Sequence, residues 1–348
     1  MDAHDVLGRL CAGSTLGEEE AYHAFGLLLG GELDDAQIGG LLALIQARGA
    51  TVDELVGAAR VMREKAAAVT PDGAPEGTVV LDTCGTGGAP KTFNISTASA
   101  IVTAAAGRGR ILVAKHGNRS RSGRGSAEVL SELGVNVDAP PAVQGRCLGE
   151  AHVCFCFAIH HHPAARHAAG ARRSLGFPTI FNVLGPLTNP AGAPRQLMGI
   201  YHADLVEPQA RALARLGAER AMVVHGRDGM DEVSTTGPTI VGRVEGGTVT
   251  MDEIDAADYG LPRATLDDLQ VPDLRSAADV VRGVLEGERG PKRDAVVANS
   301  AAALLICDAC DTMEAGIERA EAAIDSGDAL RTLGRLAELS QASENGAG

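Results

Sequence analysis

The stretch that decides the fold is VVLDTCGTGGAPKTFNISTASA, residues 79–100, in which a strand, a glycine loop and a helix follow one another. Val79–Leu81 is a short apolar run typical of a buried strand, and Ser99–Ala106 is small and apolar, as a close-packed helix requires. The order repeats, because Ile111–Ala114 predicts a second strand, a glycine-rich loop follows, and Ala127–Leu133 predicts the next helix. This alternation indicates an α/β domain with a mostly parallel central sheet.

The segments on either side of this stretch indicate a two-part organisation. Residues 4–69 place apolar side chains at helical spacing, which predicts a small all-helical unit. Three capping-box patterns mark the expected helix starts, at Thr15–Glu18, Asp34–Gln37 and Thr51–Glu54. Downstream we expect strands at 153–157, 198–200 and 221–224, helices over 297–341, and a frayed tail at 343–348.

The overall composition narrows the class of protein and its location. The 348 residues are enough for two domains with a large core, and 45% of them are hydrophobic. A net charge of −14 argues against a general nucleic-acid binder, which needs a basic surface. The chain opens without a signal peptide and contains no apolar run of about 18 residues, so we expect no membrane span. Seven scattered cysteines are typical of reduced thiols, and the expected location is the cytoplasm.

The first glycine loop, Asp82–Thr97, has the features of an anion site. Three glycines within four residues, Gly85, Gly87 and Gly88, let the backbone approach a ligand and turn successive N–H groups to one side. The loop leads into a helix N-terminus, which favours negative charge. The dinucleotide and Walker A patterns both fail at Pro90, where each needs glycine. A phosphate or pyrophosphate is therefore the expected ligand, and a tight surface turn is the alternative.

Two further loops carry complementary charge. The loop from Lys115 to Glu128 places Arg119, Arg121 and Arg124 together in an otherwise acidic protein. Later, a strand and a glycine turn are followed by the adjacent carboxylates Asp231–Glu232. Magnesium in proteins takes one or two carboxylates together with phosphate oxygens and water. Because ligands lie at the carboxyl ends of parallel strands, we expect these loops to meet at one edge of the sheet.

Four motifs in a fixed order identify a family. They are GTGG with TFNIST, KHGNR with GSAE, HHPA followed by LGFPTIFNVLGPLTNPA, and HGRDGMDEVS. Together with the N-terminal helices and Asn299–Ala302, they resemble the anthranilate phosphoribosyltransferase family over nearly the whole chain. The resemblance implies transfer of a phosphoribosyl group from 5-phosphoribosyl 1-pyrophosphate (PRPP) to anthranilate, giving N-(5-phosphoribosyl)anthranilate and pyrophosphate in tryptophan biosynthesis.

The resemblance also implies an architecture and an assembly. A helical domain at 1–70 receives a returning helical segment near 164–186, and an α/β domain that binds PRPP comprises 76–163 and 187–342. The active site then lies in the cleft between the domains, and a homodimer forms through the helical domain. The expected partners are small-molecule substrates, without nucleic acid or membrane.

The resemblance further implies roles for individual residues. The PRPP site comprises Gly85, Gly88, Ala89, Thr92, Asn94, Ile95, Ser96, Thr97, Lys115, Ser122 and Ser126. The anthranilate site comprises Gly85, His116, Asn118 and Arg172, and the metal site, for two Mg²⁺ ions, comprises Ser96, Asp231 and Glu232. His116 is also the candidate for assisting proton loss from the amine. Arg172 is expected to bind the carboxylate of anthranilate through two parallel hydrogen bonds from its guanidinium group.

The chain departs from the family pattern at two points. The family usually has Asp after GTGG, whereas this chain has Ala89 and a loop one residue short; the second loop is also one residue short before Gly125. Two alternatives stay open within enzymes: a nucleoside phosphorylase, or a phosphoribosyltransferase with another acceptor. A third is a non-catalytic nucleic-acid-binding protein on the same fold, which would need a basic groove.

Overall fold

The computed structural model describes residues 2–87, 92–120 and 123–342, and it begins with a helical bundle. The bundle contains α1 (Ala3–Cys11), α2 (Glu18–Gly30), α3 (Asp35–Arg48) and α4 (Val52–Glu64). Asp34 and Thr51 cap α3 and α4 through the predicted capping boxes, which are confirmed. The capping box predicted at Thr15 is wrong, because α2 begins after Gly17, whose backbone N–H donates to Glu20.

A seven-stranded sheet forms the centre of the larger part. Its strands are β1 (Val79–Gly85), β2 (Ile111–Gly117), β3 (Val153–Phe157), β4 (Arg195–Gly199), β5 (Arg220–Gly226), β6 (Thr239–Glu245) and β7 (Thr248–Ile254). They lie in the order β3-β2-β1-β4-β5-β6-β7. Strands β1 to β5 are parallel to one another, and β6 runs antiparallel to both of its neighbours, β5 and β7. The chain runs outward from β1 to β3 on one side and through β4 and β5 on the other. β1 and β4 therefore flank a topological switch point, where ligands bind in such sheets.

Further helices connect and cover the strands. They are α5 (Ile95–Gly107), α6 (Ser126–Glu132), α7 (Pro141–Glu150), α8 (Ala158–His161), α9 (Arg166–Leu175), α10 (Phe181–Leu184), α11 (Val206–Arg215), α12 (Leu266–Leu269), α13 (Leu274–Leu285), α14 (Pro291–Ile306), α15 (Met313–Asp325) and α16 (Asp328–Ser340). α9 packs against α2 and α3, beside the N-terminal bundle. The predicted fold class, a small helical domain with a larger α/β domain and a mostly parallel sheet, is confirmed.

Two hydrophobic clusters hold these layers together. One packs α5, α7 and α13 to α16 against the sheet. The other joins the N-terminal bundle to α9, α10 and α11 and to strand residues such as Met198 and Val223. Because the second cluster runs without interruption from the bundle to the sheet, burial of apolar surface docks the helical unit firmly against the α/β part.

The β6–β7 hairpin is an element that the sequence patterns did not predict. Its two β-branched runs are joined by Gly246–Gly247, both at positive φ, which is the two-residue turn that suits a hairpin. β7 is an edge strand whose side chains are mostly exposed, apart from the buried Ile254. Its low apolar content explains why it was missed. Within the described ranges, every helix is too short or too polar to cross a bilayer.

Candidate active site

Three predicted loops meet at one edge of the sheet. β1 ends at Gly85, β2 at Gly117 and β5 at Gly226, and all three strands run in the same direction. Their following segments therefore project from the same edge, beside the switch point between β1 and β4. The loop after β5 follows the other two by more than a hundred residues, yet hydrogen bonds join it to the first glycine loop and to α5.

The acidic pair contacts the first glycine loop at two points. Asp231 Oδ2 accepts a hydrogen bond from the backbone N–H of Gly87 at 3.2 Å. Glu232 Oε1 accepts one from the backbone N–H of Ser96 in the first turn of α5, also at 3.2 Å. Burial, followed by the negative charge of Asp231, raises the pKa of Glu232 to about 8. Two carboxylates held this close favour a bound cation, since like charges oppose each other's ionisation.

Lys115 lies between the glycine loop and the acidic pair. Its side chain is only 3% exposed, and Nζ donates to the Thr83 carbonyl and, at 3.1 Å, to Ser96 Oγ. Burial lowers the pKa of Lys115, while the neighbouring carboxylates, above all Asp82, oppose that effect. An ammonium group buried here places positive charge beside the helix N-terminus of α5, so the two together suit a polyanionic ligand.

Asp231 is held by close backbone packing as well as by hydrogen bonds. A Cβ on Gly199, the last residue of β4, would lie 1.8 Å from the carbonyl oxygen of Asp231. A Cβ on Gly85 would lie 2.8 Å from Oδ2 of the same residue. Both glycines are therefore needed for space, because the acidic loop rests directly on the strand ends.

Gly199→Ala is accordingly expected to disable the site. The added methyl group must displace the backbone of Asp231, and a shift of about 1 Å in a catalytic group costs roughly 100-fold in rate. We expect a loss of at least that size in kcat/KM, measured by steady-state kinetics. Gly334→Ala in α16, where an added Cβ meets no atom within 4 Å, is the matched control. Equal activity of the two variants would contradict the packing argument.

The second glycine loop closes against the first. Asn94 Nδ2 donates to the Arg124 carbonyl at 3.2 Å, and this contact joins the start of α5 to the loop after β2. Within that loop, the Arg124 backbone N–H donates to Ser120 Oγ at 3.2 Å. Ser126 opens α6 with Gly125 as its N-cap. The predicted residues Asn94, Lys115 and Ser126 thus lie on adjoining elements around α5.

His116 is more deeply buried than the sequence indicated. It is 4% exposed, and its ring centroid is 5.2 Å from that of His162 in a T-shaped contact. Burial, together with the two neighbouring histidines His162 and His161, lowers the pKa of His116 to about 3. Nε2 has no hydrogen-bond partner among the described residues. The imidazole is therefore neutral at pH 7 and retains an unused polar atom.

The other residues predicted for the anthranilate site lie on separate elements. The guanidinium carbon of Arg172, near the end of α9, lies 4.9 Å from the Phe181 ring centroid in a cation–π arrangement. Asn118 follows β2 and is exposed, and its Oδ1 accepts from the backbone N–H of Arg119. Arg119 in turn covers the Phe157 ring at 5.5 Å.

The other predicted residues fall into two groups. Ile95 and Thr97 are buried in the first turn of α5, and Thr92 forms an isolated antiparallel bridge with Gln270. Gly88, Ala89 and Ser122 lie outside the described residues.

Sequence patterns missed Asp82, which is fully buried in β1. Its Oδ1 accepts from the backbone N–H of His116 at 2.9 Å, and burial raises its pKa to about 6. Asp82 therefore fixes the end of β2, from which Lys115 and His116 project. The available signal was a carboxylate directly after the apolar run Val79–Leu81, where an ionisable side chain in a buried strand needs a partner.

Two family descriptions match consecutive parts of the chain. Residues 4–66 match the description "Glycosyl transferase family, helical bundle domain". Residues 77–330 match "Glycosyl transferase family, a/b domain".

Curated proteins resemble the chain over almost its full length. Anthranilate phosphoribosyltransferase from Rhodospirillum rubrum is 49% identical over 337 residues, covering 96% of this chain and 95% of that protein. The protein of the same name from Rubrobacter xylanophilus is 47% identical over 340 residues, covering 97% of each.

Solved structures give the same result. The crystal structure of anthranilate phosphoribosyltransferase from Thermus thermophilus has a TM-score of 0.89 and 37% identity, covering 97% of this chain and 100% of that chain. The structure from Saccharomyces cerevisiae in complex with PRPP and Mg has a TM-score of 0.86 and 24% identity, with 97% of both chains covered. At 24% identity, the similarity to the yeast structure supports the fold alone.

Proposed function

Because the chain belongs to the anthranilate phosphoribosyltransferase family, we propose that it transfers the phosphoribosyl group of PRPP to the amine of anthranilate. The observation that carries this proposal is the convergence at one sheet edge of the Gly87 and Ser96 backbone N–H groups, Lys115, and the Asp231–Glu232 pair. The two N–H groups hold the carboxylates in place, so that the site combines carboxylates for a cation with positive charge from Lys115 and the α5 N-terminus for the phosphates, as a chelated diphosphate requires.

Binding of PRPP is proposed to use the strand ends and the first turn of α5. The Lys115 ammonium and the positive end of the α5 dipole attract the anionic groups of PRPP. Ser96 Oγ and Asn94 lie beside them. Gly85, Gly88, Ala89, Thr92, Ile95, Thr97, Ser122 and Ser126 complete the proposed site.

The donor set of the acidic loop fits magnesium. Asp231 and Glu232 offer two carboxylates, and Ser96, whose backbone N–H donates to Glu232, offers a hydroxyl, so all three are oxygen ligands. The described residues contain no cluster of three or more His, Cys, Asp or Glu side chains suited to a metal, so the remaining ligands would be phosphate oxygens and water. We propose two Mg²⁺ ions per site. The chemistry that bound magnesium supplies is neutralisation of charge on the leaving pyrophosphate.

The protein's own residues then stabilise departure of pyrophosphate. Lys115 and the N-terminus of α5 supply fixed positive charge where negative charge grows, as the C1–O bond breaks toward an oxocarbenium-like state. Anthranilate carries an aromatic amine that is neutral at pH 7 and attacks without prior deprotonation. The chain therefore mainly has to orient it, and orientation can supply roughly 7–11 kcal/mol.

His116 and Arg172 are proposed to orient the acceptor, with Asn118 beside its route and Gly85 at the boundary of the two substrate sites. A neutral His116 ring with an unused Nε2 can accept a hydrogen bond from the amine, although its low pKa makes it a weak base. We therefore propose that His116 assists proton loss by accepting this hydrogen bond, while the proton released after the C–N bond forms passes to the departing pyrophosphate or to water.

Arg172→Ala is expected to raise the KM for anthranilate by roughly 10- to 100-fold, while the KM for PRPP changes by less than about threefold. The physical reason is loss of a charge-assisted, forked contact to the acceptor carboxylate. Steady-state kinetics with each substrate varied in turn measure the effect. Arg173→Ala, at the adjacent exposed position of α9, is the matched control. A larger change in the KM for PRPP would remove Arg172 from the acceptor site.

A direct assay tests the proposed function. The protein is mixed with Mg²⁺, PRPP and anthranilate, and loss of anthranilate fluorescence is followed together with pyrophosphate release. We expect both signals in equal amounts, and neither when any one of the three components is omitted. Pyrophosphate release without anthranilate consumption would contradict the assigned acceptor.

We also propose a homodimer formed through the helical domain, in the cytoplasm. Leu7, Leu27 and Leu33 line a small apolar groove on the surface of the bundle, and such a surface suits a second copy. Sedimentation analysis should give twice the mass of one chain. A monomer at micromolar concentration would contradict this assembly.

A further inference from the structure

Asn299 on α14 pairs with the acidic loop through its side-chain amide. It is fully buried, and Oδ1 accepts from the Val233 backbone N–H at 2.9 Å while Nδ2 donates to the Val233 carbonyl at 2.9 Å. Nδ2 also donates to the Ala295 carbonyl one turn earlier on its own helix, at 2.9 Å. One amide thus satisfies both backbone groups of a single residue, as a neighbouring strand would.

The residue that Asn299 holds lies directly after Glu232. The preceding turn is fixed separately, because Asp228 Oδ1 accepts from the Met230 backbone N–H at 2.9 Å and Oδ2 accepts from Ser234 Oγ at 2.5 Å. The acidic pair lies between these anchors. Asp228 stabilises the turn through hydrogen bonds within the same loop, whereas Asn299 connects the loop to the buried helix α14.

α14 also holds α5, which carries the opposite wall of the site. Ser99 Oγ, in the second turn of α5, donates to the Val296 carbonyl of α14 at 3.2 Å. The Ser96 N–H, in the first turn of α5, donates to Glu232. The same stretch of α14 therefore contacts the helix that donates to the acidic pair and the residue that follows the pair.

We propose that Asn299 is a positioning residue that holds the Asp231–Glu232 carboxylates against α5 and thereby sets the affinity of the site for its divalent cation. The inference deepens the proposed function and rests on it for the identity of the cation site. Asparagine suits the position because it supplies one acceptor and two donors in a plane. Ionised aspartate lacks the donors, and an aliphatic side chain would leave both Val233 backbone groups unpaired in the core.

The test compares Asn299→Ala and Asn299→Asp with the wild-type chain. Mn²⁺ is titrated at saturating PRPP, and water-proton relaxation reports only the Mn²⁺ that tumbles with the protein. We expect the Mn²⁺ Kd to rise roughly 10- to 100-fold in Asn299→Ala, as is typical when an outer partner of a metal ligand is lost. Asn299→Asp keeps the acceptor and the volume, and in the neutral form that burial favours its hydroxyl can donate to the Val233 carbonyl, so it should show a smaller rise and carries the test if the alanine variant does not fold.

Kinetics supply a second readout that a general loss of stability would not produce. The KM for Mg²⁺ should rise while the KM for anthranilate stays constant, and kcat should recover at high Mg²⁺. Ser300→Ala is the matched control, since Ser300 is the next residue on α14, fully buried, with a hydroxyl that has no partner among the described residues. It should retain the wild-type Mn²⁺ affinity.

The outcomes separate this inference from the proposed function. If the wild-type chain consumes anthranilate but the Asn299 variants bind Mn²⁺ within twofold of it, the positioning role is overturned. If the Mn²⁺ affinity falls as expected but the wild-type chain consumes no anthranilate, the role of Asn299 stands and the assigned acceptor fails. Failure of the wild-type chain to bind Mn²⁺ with PRPP would overturn both the cation site and the role of Asn299.

Discussion

The double variant Asp231→Asn, Glu232→Gln is expected to lower kcat/KM by at least roughly 1000-fold, even in saturating Mg²⁺. Both substitutions keep the size of the side chain and remove the charge that would hold the cation. Their oxygen atoms can still accept from the Gly87 and Ser96 N–H groups, so the local hydrogen bonds need not be lost. The expected loss is therefore one of charge at the reacting group rather than of structure.

Thermal unfolding separates these two causes. Two adjacent carboxylates in a partly buried site oppose each other's ionisation, so removing them should leave Tm no lower than that of the wild type without divalent cation. Added Mg²⁺ with PRPP should raise Tm of the wild type only, because a ligand stabilises the state that binds it.

The matched control is a second Asp–Glu pair in the same chain. Asp252 and Glu253 on β7 are exposed and form surface ion pairs with Arg243 and Arg227. Surface pairs contribute little to stability, so the double variant Asp252→Asn, Glu253→Gln should retain activity. Near-normal turnover in the Asp231–Glu232 variant would remove the metal assignment.

Lys115→Met is expected to lower kcat/KM for PRPP by roughly 100- to 1000-fold. Methionine fills a similar volume but provides neither the ammonium charge nor its hydrogen bonds to Thr83 and Ser96. The site would then present two carboxylates to a polyanion with less compensating charge. The loss should appear mainly in the parameters for PRPP, with the KM for anthranilate nearly constant.

Lys65→Met, at an exposed position just after α4, provides the control. Lys115→Arg should fail to restore activity, because a planar guanidinium does not fit a buried site shaped for a compact ammonium group. A normal KM for PRPP in Lys115→Met, with kcat within tenfold of wild type, would place PRPP elsewhere.

The α/β fold and the general location of the site were predictable because they depend on local patterns. Apolar runs followed by glycine loops located β1 and β2, and parallel strands necessarily present their carboxyl ends at one edge. The charges in the loops then predicted that the second glycine loop and the Asp231–Glu232 pair are neighbours, and the family resemblance singled out Lys115 within that loop. The hairpin of β6 and β7 was not predicted because its edge strand, β7, is mostly exposed and has few apolar side chains, although Gly246–Gly247 marked the turn.

The detailed contacts were not predictable because they depend on register and packing between distant segments. Nothing local indicates that Gly87 pairs with Asp231 and Ser96 with Glu232, or that Gly199 must lack a side chain. No local pattern indicates that His116 is buried with its pKa lowered to about 3. Burial of that ring depends on His162 and on the packing of segments remote in the chain.

A crystal structure of the chain grown with PRPP and Mn²⁺ would test the central claim most directly, through the anomalous signal of the metal. The account predicts Mn²⁺ bound to Asp231 and Glu232, with the diphosphate between the N-terminus of α5 and Lys115. Manganese bound away from the acidic pair, or PRPP lying outside the edge where β1, β2 and β5 end, would contradict it.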